Sequence, residues 1–238
     1  MKKNISKFRL LLLNVSIILV LSSGIQAQNA VKLNQEFPDF SLKSHTGETI
    51  TLSDYRGKNI LLIFPRGKYL DGWCRACHYQ YADLANLQTE NNIEAKYNLR
   101  ILFILPYSWE EIQQWTTLFP LQMSIIESYK NPTREQLANP RLAAFSKEIK
   151  EVMPLSFYFD EENPAPLPFP VLADEDHRLS LSIGLYSTYW DNAYLEQNEP
   201  TIFILNSDGI VKFKYKSQVT LDRPSARYLL NYIGNNIK

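Results

Sequence analysis

Apolar and polar positions follow two different rhythms along the chain. Phe37-Pro38-Asp39-Phe40-Ser41-Leu42 and Thr49-Ile50-Thr51-Leu52 alternate with period two and flank Ser44-His45-Thr46-Gly47. Two short alternating runs around a Gly-containing turn predict a β-hairpin. Asn59 to Phe64 (NILLIF) and Arg100 to Leu105 (RILFIL) are unbroken apolar runs, closed by Pro65 and Pro106. Runs of this length predict strands covered on both faces. Residues 66–73 lack a period and read as a loop, whereas residues 74–89 place Ala76, Tyr79, Ala82, Leu84 and Leu87 at helical spacing. Trp109 to Phe119 and Ala138 to Val152 predict two further helices, the second with Pro140 near its first turn. Asn163-Pro164-Ala165-Pro166-Leu167-Pro168 predicts an extended loop. Phe169 to Asp174 reads as a short strand and Asp176 to Gly184 as a short helix ending at a glycine cap. Thr201 to Leu205 and Ile210 to Tyr215 read as strands joined by the hairpin turn Asn206-Ser207-Asp208-Gly209. Arg223 to Ile237 predicts a terminal helix, with Pro224 in its first turn and Ala226, Leu229, Leu230 and Ile233 on one stripe.

The order is hairpin, β-α-β-α, a helical insertion at 120–168, β-α, hairpin and helix. Alternating strands and helices place the chain in the α/β class, with a central mixed β-sheet flanked by helices. At 238 residues, one domain over 28–238 that carries an insertion is simpler than two domains. An apolar fraction of 45% and a charged fraction of 21% suit a globular chain. Basic and acidic residues both number 25, which excludes the basic excess of a nucleic-acid binder. Two cysteines and three histidines exclude a disulfide-rich scaffold and a multi-ligand zinc ribbon. Asp174-Glu175-Asp176 reads as an acidic helix start, not a metal site. No metal and no other cofactor is expected.

Residues 1–27 read as a secretory signal. Lys2, Lys3, Lys7 and Arg9 precede an apolar stretch of about 12 residues from Leu10 to Leu21, and Ala27 suits the last position before cleavage. That stretch is shorter than the roughly 20 residues a bilayer span needs. The expectation is a mature chain exported to the periplasm or the extracellular space, with no stable membrane insertion and disulfide chemistry permitted.

The chemistry concentrates in Gly72-Trp73-Cys74-Arg75-Ala76-Cys77-His78, between a buried strand and a helix. Both cysteines of the chain are here, spaced C-x-x-C. A helix N-terminus presents unpaired N–H groups and about half a positive charge. A thiolate there is stabilised, so Cys74 is expected to be anionic near neutral pH. Arg75 adds positive charge and Trp73 shields the first sulfur. His78 is expected to be a partly exposed helix residue that tunes the thiols at most modestly. The same residues fit C-x-x-C-H, the c-type haem attachment pattern with His78 as axial ligand, although haem c domains are usually helical. An inert cysteine pair in a binding module is the remaining non-enzymatic reading.

NILLIF, WCRAC at a helix start, Glu199-Pro200-Thr201 before a strand and the IFILNSDGIVKF hairpin together resemble the thioredoxin fold. FPDFSLKSHTGETITLSDYRGK resembles the opening of the redoxin group, the AhpC/TSA peroxiredoxins and TlpA-type exported oxidoreductases, and FPVLADEDHRLSLSIGLY resembles a later peroxiredoxin segment. The resemblance covers about residues 35–107 and 169–238. It implies a thiol–disulfide oxidoreductase in which Cys74 is the nucleophile and Cys77 resolves. Pro200 is then the cis-proline facing the sulfurs and shaping the substrate groove, with Trp73 and with Glu199 as a candidate proton acceptor. It equally implies a peroxiredoxin-like peroxidase, in which Cys77 is the peroxidatic residue and Cys74 stands at the place of the motif threonine. In that reading Glu199 replaces the usual arginine and Arg66 is its candidate substitute. Implied partners are protein thiols or disulfides, or a peroxide, and an upstream electron-donor thiol protein.

Overall fold

The computed structural model describes residues 30–70 and 72–237. The expected signal at 1–27 lies outside them. The strands are β1 (Ser41–Ser44), β2 (Thr49–Thr51), β3 (Asn59–Phe64), β4 (Lys68–Tyr69), β5 (Gly72–Trp73), β6 (Leu99–Leu105), β7 (Val171–Ala173), β8 (Tyr186–Ser187), β9 (Gln197–Asn198), β10 (Thr201–Leu205) and β11 (Val211–Lys216). The helices are α1 (Arg75–Asn91), α2 (Ile93–Lys96), α3 (Trp109–Thr117), α4 (Phe119–Lys130), α5 (Arg134–Leu137), α6 (Pro140–Val152), α7 (Arg178–Ser182) and α8 (Ala226–Asn236).

Seven strands form one mixed sheet in the order β11-β10-β3-β6-β7-β1-β2. β3, β6 and β7 run parallel at its centre. β10 joins β3 antiparallel, opposing Ile202 to Ile63, and the hairpin partner β11 closes that edge. The period-two side-chain alternation of a strand divides β3 between two cores. Leu61 and Ile63 face a core shared with α1, α3, α4, α6 and α8. Ile60, Leu62 and Phe64 face a smaller core with Phe37, Phe40, Leu179 of α7 and Ile183 just beyond it. This two-sided burial explains the unbroken apolar run in the sequence.

Departures from the expected elements are local. The loop expected at 66–73 contains the small β4–β5 hairpin. The terminal helix starts after Pro224, because the Ser225 hydroxyl accepts the Tyr228 N–H at 3.2 Å and caps it. The acidic helix start is used as expected by one member. The Asp174 carboxylate accepts the N–H groups of Leu179 and Ser180 at 3.1 and 2.8 Å.

The insertion holds a helix that the sequence pattern did not reveal, α4, with Phe119, Met123 and Ile126 buried. The insertion is fastened to α1 through Tyr79. Its ring lies 5.6 Å from Phe157 and its hydroxyl accepts the Leu155 N–H at 2.9 Å. Among the described residues, no helix is long and apolar enough to cross a membrane.

Candidate dithiol site

β3 delivers the chain to Pro65, and Arg66 and Gly67 then turn it back toward the start of α1. Gly67 has φ +87°, and a Cβ there would collide with the Tyr107 ring. Only glycine combines that backbone angle with so close an approach. The Tyr107 hydroxyl accepts the Lys68 N–H at 2.9 Å and donates to the Glu196 carbonyl at 2.8 Å, which fixes the turn. Cys74 is the N-cap of α1, and its N–H donates to the Gly67 carbonyl at 2.7 Å. Cys77 lies in the first helical turn, with its N–H 3.2 Å from the Cys74 carbonyl. Both thiols are free and buried, at 1% and 0% exposure.

The two sulfurs share their protons unequally. For Cys77, burial opposes ionisation. The hydrogen bond from the Cys74 thiol, the Arg223 charge and the N–H groups of Gly67 and Arg66 outweigh it and bring Cys77 down to about 6. Cys74 moves the other way. Its hydrogen bond to Cys77, its burial and the Cys77 charge hold its pKa well above the ordinary value, against the pull of Arg223. Burial and the neighbouring Cys77 thiolate thus oppose the anionic Cys74 expected from the helix start. Both residues sit at the helix start, but the donors of the preceding turn converge one helical turn deeper, on Cys77.

Two arginines outside the C-x-x-C motif, Arg66 of the preceding turn and the distant Arg223, supply the positive surroundings. Arg66 is fully buried. Its Nε donates to Gln197 Oε1 at 2.6 Å, Nη1 to Thr220 Oγ1 at 2.6 Å and Nη2 to the Trp190 carbonyl at 3.1 Å. Asp191 lies 3.6 Å from it, and its guanidinium carbon sits 4.3 Å above the Tyr69 ring. Burial lowers its pKa, while the charges of Cys74, Asp191 and Cys77 act in the opposite sense. Arg223 has 8% side-chain exposure and donates through Nη1 to Ser217 Oγ at 2.6 Å, leaving Nε and Nη2 buried without a partner. Arg66 was visible in the sequence only as a substitute cation. Nothing in the sequence pointed to Arg223, because no local pattern joins it to the cysteines.

The other expected site residues are placed differently. Trp73 is buried edge-on against Tyr107, with ring centres 5.2 Å apart. Arg75 lies over the Tyr129 ring at 5.6 Å, with its Nε buried and unpartnered. The cation that acts on both thiols is Arg223 instead. His78 is not partly exposed but fully buried, stacked on Trp115 at 4.4 Å. Its Nδ1 faces the Cys74 carbonyl at 3.2 Å and its Nε2 the Trp115 carbonyl at 3.0 Å. Burial lowers its pKa to about 4. The neutral ring donates to one of these carbonyls, and with both nitrogens packed against backbone His78 does not fit an axial haem ligand. Pro200 is buried and the chain has no cis peptide bond among the described residues, so the expected cis bond at Glu199-Pro200 is corrected to trans. Trans is the intrinsically favoured form, and it lets Pro200 run straight into β10 with its carbonyl accepting the Ser217 N–H at 2.9 Å. Glu199 forms an ion pair with Lys216 of β11.

Cys74, unlike Cys77, lines a groove of about 460 Å³. Its walls are largely apolar and come from Tyr69, from Ile126 and Tyr129 of α4, from Phe145 and Ile149 of α6, and from Leu221. The floor of the site is thus supplied by the strand–helix turn and one wall by the insertion.

Comparison with known proteins agrees with this architecture. The AhpC/TSA family model matches residues 33–214. A thioredoxin-like protein, YneN of Bacillus subtilis (strain 168), is 37% identical over 60 residues, which span 25% of this chain and 32% of that protein. The match therefore reaches about a third of that relative's length. Among solved structures, a mutant of peroxiredoxin 6 from Arenicola marina superposes with a TM-score of 0.55 at 14% identity, covering 86% of this chain and 73% of its own. Peroxidoxin BcpB from Mycobacterium tuberculosis gives 0.54 at 13% identity, covering 87% and 99%. Reduced 2-Cys peroxiredoxin from Plasmodium vivax gives 0.53 at 14%, covering 85% and 80%. The mixed sheet with helices on both faces is shared with these structures, and the chain, a thioredoxin-fold redoxin, belongs to the AhpC/TSA family.

Proposed function

We propose that the protein is a thiol–disulfide oxidoreductase whose redox centre is Cys74 and Cys77. One observation carries this reading: two free cysteines spaced C-x-x-C occupy the start of α1, and the first of them lines the groove while the second lies one turn deeper. As the Cys74 sulfur attacks a substrate disulfide, its proton passes to the Cys77 thiolate, which acts as general base. A mixed disulfide forms at Cys74 and the substrate's other sulfur leaves as a thiolate. Cys77 then loses its proton and attacks the Cys74 sulfur, which frees the second substrate thiolate and leaves a Cys74–Cys77 disulfide. Two electrons have passed to the substrate. A donor dithiol protein restores the reduced pair by the reverse exchange. The test is capture of mixed disulfides. Cys77→Ala should accumulate a covalent adduct with an oxidised protein substrate and Cys74→Ala should not. Full disulfide-reductase activity in Cys74→Ala would overturn the assignment.

A second reading draws on the donors around Cys77. As a peroxidase, the Cys77 thiolate would attack a peroxide oxygen, release water or an alcohol and become a sulfenic acid, which the Cys74 thiol would then convert to the disulfide with loss of water. The nearby Arg223 charge and the Gly67 and Arg66 N–H groups favour this chemistry. It requires the reduced protein to react with hydrogen peroxide far faster than a free thiol does.

This activity belongs to an oxidising compartment, reached through the signal at 1–27. Amino-terminal sequencing of the protein from its host should then begin at Gln28.

A further inference from the structure

We propose that two loops, 188–196 between β8 and β9 and 217–225 between β11 and α8, form a gate over Cys74, and that the contact of Asp191 with Thr220 is its latch. The gate concerns access to the sulfur and holds for either reaction considered above. Cys74 lines the groove, yet only 1% of the residue is exposed, and Cys77 is sealed behind it. A reacting atom has to come within roughly 3.5 Å of the sulfur it attacks or is attacked by. Part of the wall must therefore move before either thiol reacts. The walls are not equally fixed. The strand–helix turn is closed by Tyr107, and the insertion side is anchored by the buried Ile126 and Ile149. The remaining side consists of Asp191, Val219, Thr220 and Leu221. Tyr189 and Val219 in these loops are 48% and 49% exposed, and Trp190 is the large side chain that loop 188–196 buries. Segments with so few buried apolar contacts open at low cost.

Polar contacts hold the gate shut. Asp191 Oδ2 accepts the Thr220 N–H at 2.9 Å and also accepts the Thr220 hydroxyl proton. The same hydroxyl oxygen accepts from Arg66 Nη1 at 2.6 Å, and Arg66 Nη2 donates to the Trp190 carbonyl at 3.1 Å. Both loops are thus tied to each other and to one buried cation through the Thr220 side chain. The tip that presents Asp191 is stiff. Asp191 and Asn192 have φ +47° and +59°, and Trp190 and Ala193 exchange N–H to carbonyl bonds of 3.2 and 3.1 Å across them. This is a two-residue hairpin turn with both central residues left-handed, a conformation that Asp and Asn tolerate. Such a tip swings as a unit, carrying its carboxylate toward Thr220 or away from it.

Thr220→Val tests the latch, because it keeps the shape of the side chain and removes the hydroxyl that serves both partners. The reduced variant should react with iodoacetamide at Cys74 about tenfold faster per thiolate than the wild type, the effect expected from losing hydrogen bonds to charged groups. Peptide mass spectrometry reads the site and the rate, and absorbance reads the thiolate fraction. Amide hydrogen exchange should quicken in 188–196 and 217–225 and stay unchanged in β3 and β6. Thr220→Ser, which restores the hydroxyl, should behave as the wild type. Unchanged alkylation in Thr220→Val would overturn the gate. So would a rise shared by the amides of β3 and β6, which would mark general unfolding. Alkylation of Thr220→Ser as fast as that of Thr220→Val would overturn the latch. If Thr220→Val does not fold, the wild-type protein decides. Relative to the chain in denaturant, its Cys74 should be protected from alkylation by the same factor as the loop amides and by less than the amides of α1. Protection equal to that of α1, or no protection, would overturn the gate.

Discussion

The proton shared by Cys74 and Cys77 sets how the site responds to pH. Because the pair titrates together, its first proton leaves near pH 6, and the second is held by the thiolate already formed. Two protons accompany two electrons below that pH and one above it. The midpoint potential should fall by about 59 mV per pH unit below pH 6 and by about 30 mV per unit above it, with the break visible in a redox titration against a dithiol buffer. The sign for stability follows from the same shift. A folded-state pKa of about 6 against 9.0 unfolded adds stability to the reduced protein that is complete above pH 9 and is lost as pH falls through 6. In Cys77→Ala, the hydrogen bond and the charge through which Cys77 holds Cys74 up are gone, so its pKa should fall below its wild-type value, as read from thiolate absorbance. His78 acts on the acid side. Its pKa of about 4, lowered from 6.5, keeps it neutral in the fold, so its contribution is complete above pH 6.5 and is lost toward pH 4. Phenylalanine at this position should flatten that limb of the denaturation profile by up to roughly 3 kcal/mol. The cysteines were legible from spacing alone. Which of them ionises first was not, because it depends on where Gly67 and Arg66 aim their N–H groups and on a cation 146 residues beyond Cys77.

The turn joining β3 to α1 is the element on which those donors depend. Tyr107 closes it with two hydrogen bonds and with a ring packed onto Gly67. Tyr107→Phe keeps the ring but leaves the Lys68 N–H and the Glu196 carbonyl without that partner. It should cost about 1–3 kcal/mol in chemical denaturation, and the relaxed turn should raise the first thiol pKa above its wild-type value. Retention of both quantities would show that the turn holds itself. The sheet strands were readable because burial on both faces leaves an unbroken apolar run, and β3 and β10 fall where the sequence places them. The helix α4 was not readable. Its apolar positions are interrupted, with Leu121 turned outward and Gln122 and Lys130 buried. Lys130 is held by Glu127 one turn earlier and by the Leu155 carbonyl, the second a partner that only tertiary contact supplies. For the same reason the groove wall built by α4 and α6 was invisible, whereas Trp73, Pro200 and Glu199, which a fold resemblance suggests, are not among its lining residues.

Across the whole molecule, Arg66 joins segments that the chain reaches last. Its three nitrogens bind Gln197, Thr220 and the Trp190 carbonyl, between 124 and 154 residues downstream. Arg66→Met should therefore loosen the loops around residues 190 and 220, seen as faster amide hydrogen exchange there, with a loss of several kcal/mol because Asp191 is left without its cation. Contacts of such long range form late, since the loop they close must first be ordered. A chain emerging from its ribosome exposes both thiols well before Arg223 is synthesised. During that interval they carry the reactivity of ordinary peptide cysteines. The reagent is thus armed only by completion of its own synthesis, which spares the nascent polypeptide and its neighbours from premature cross-linking.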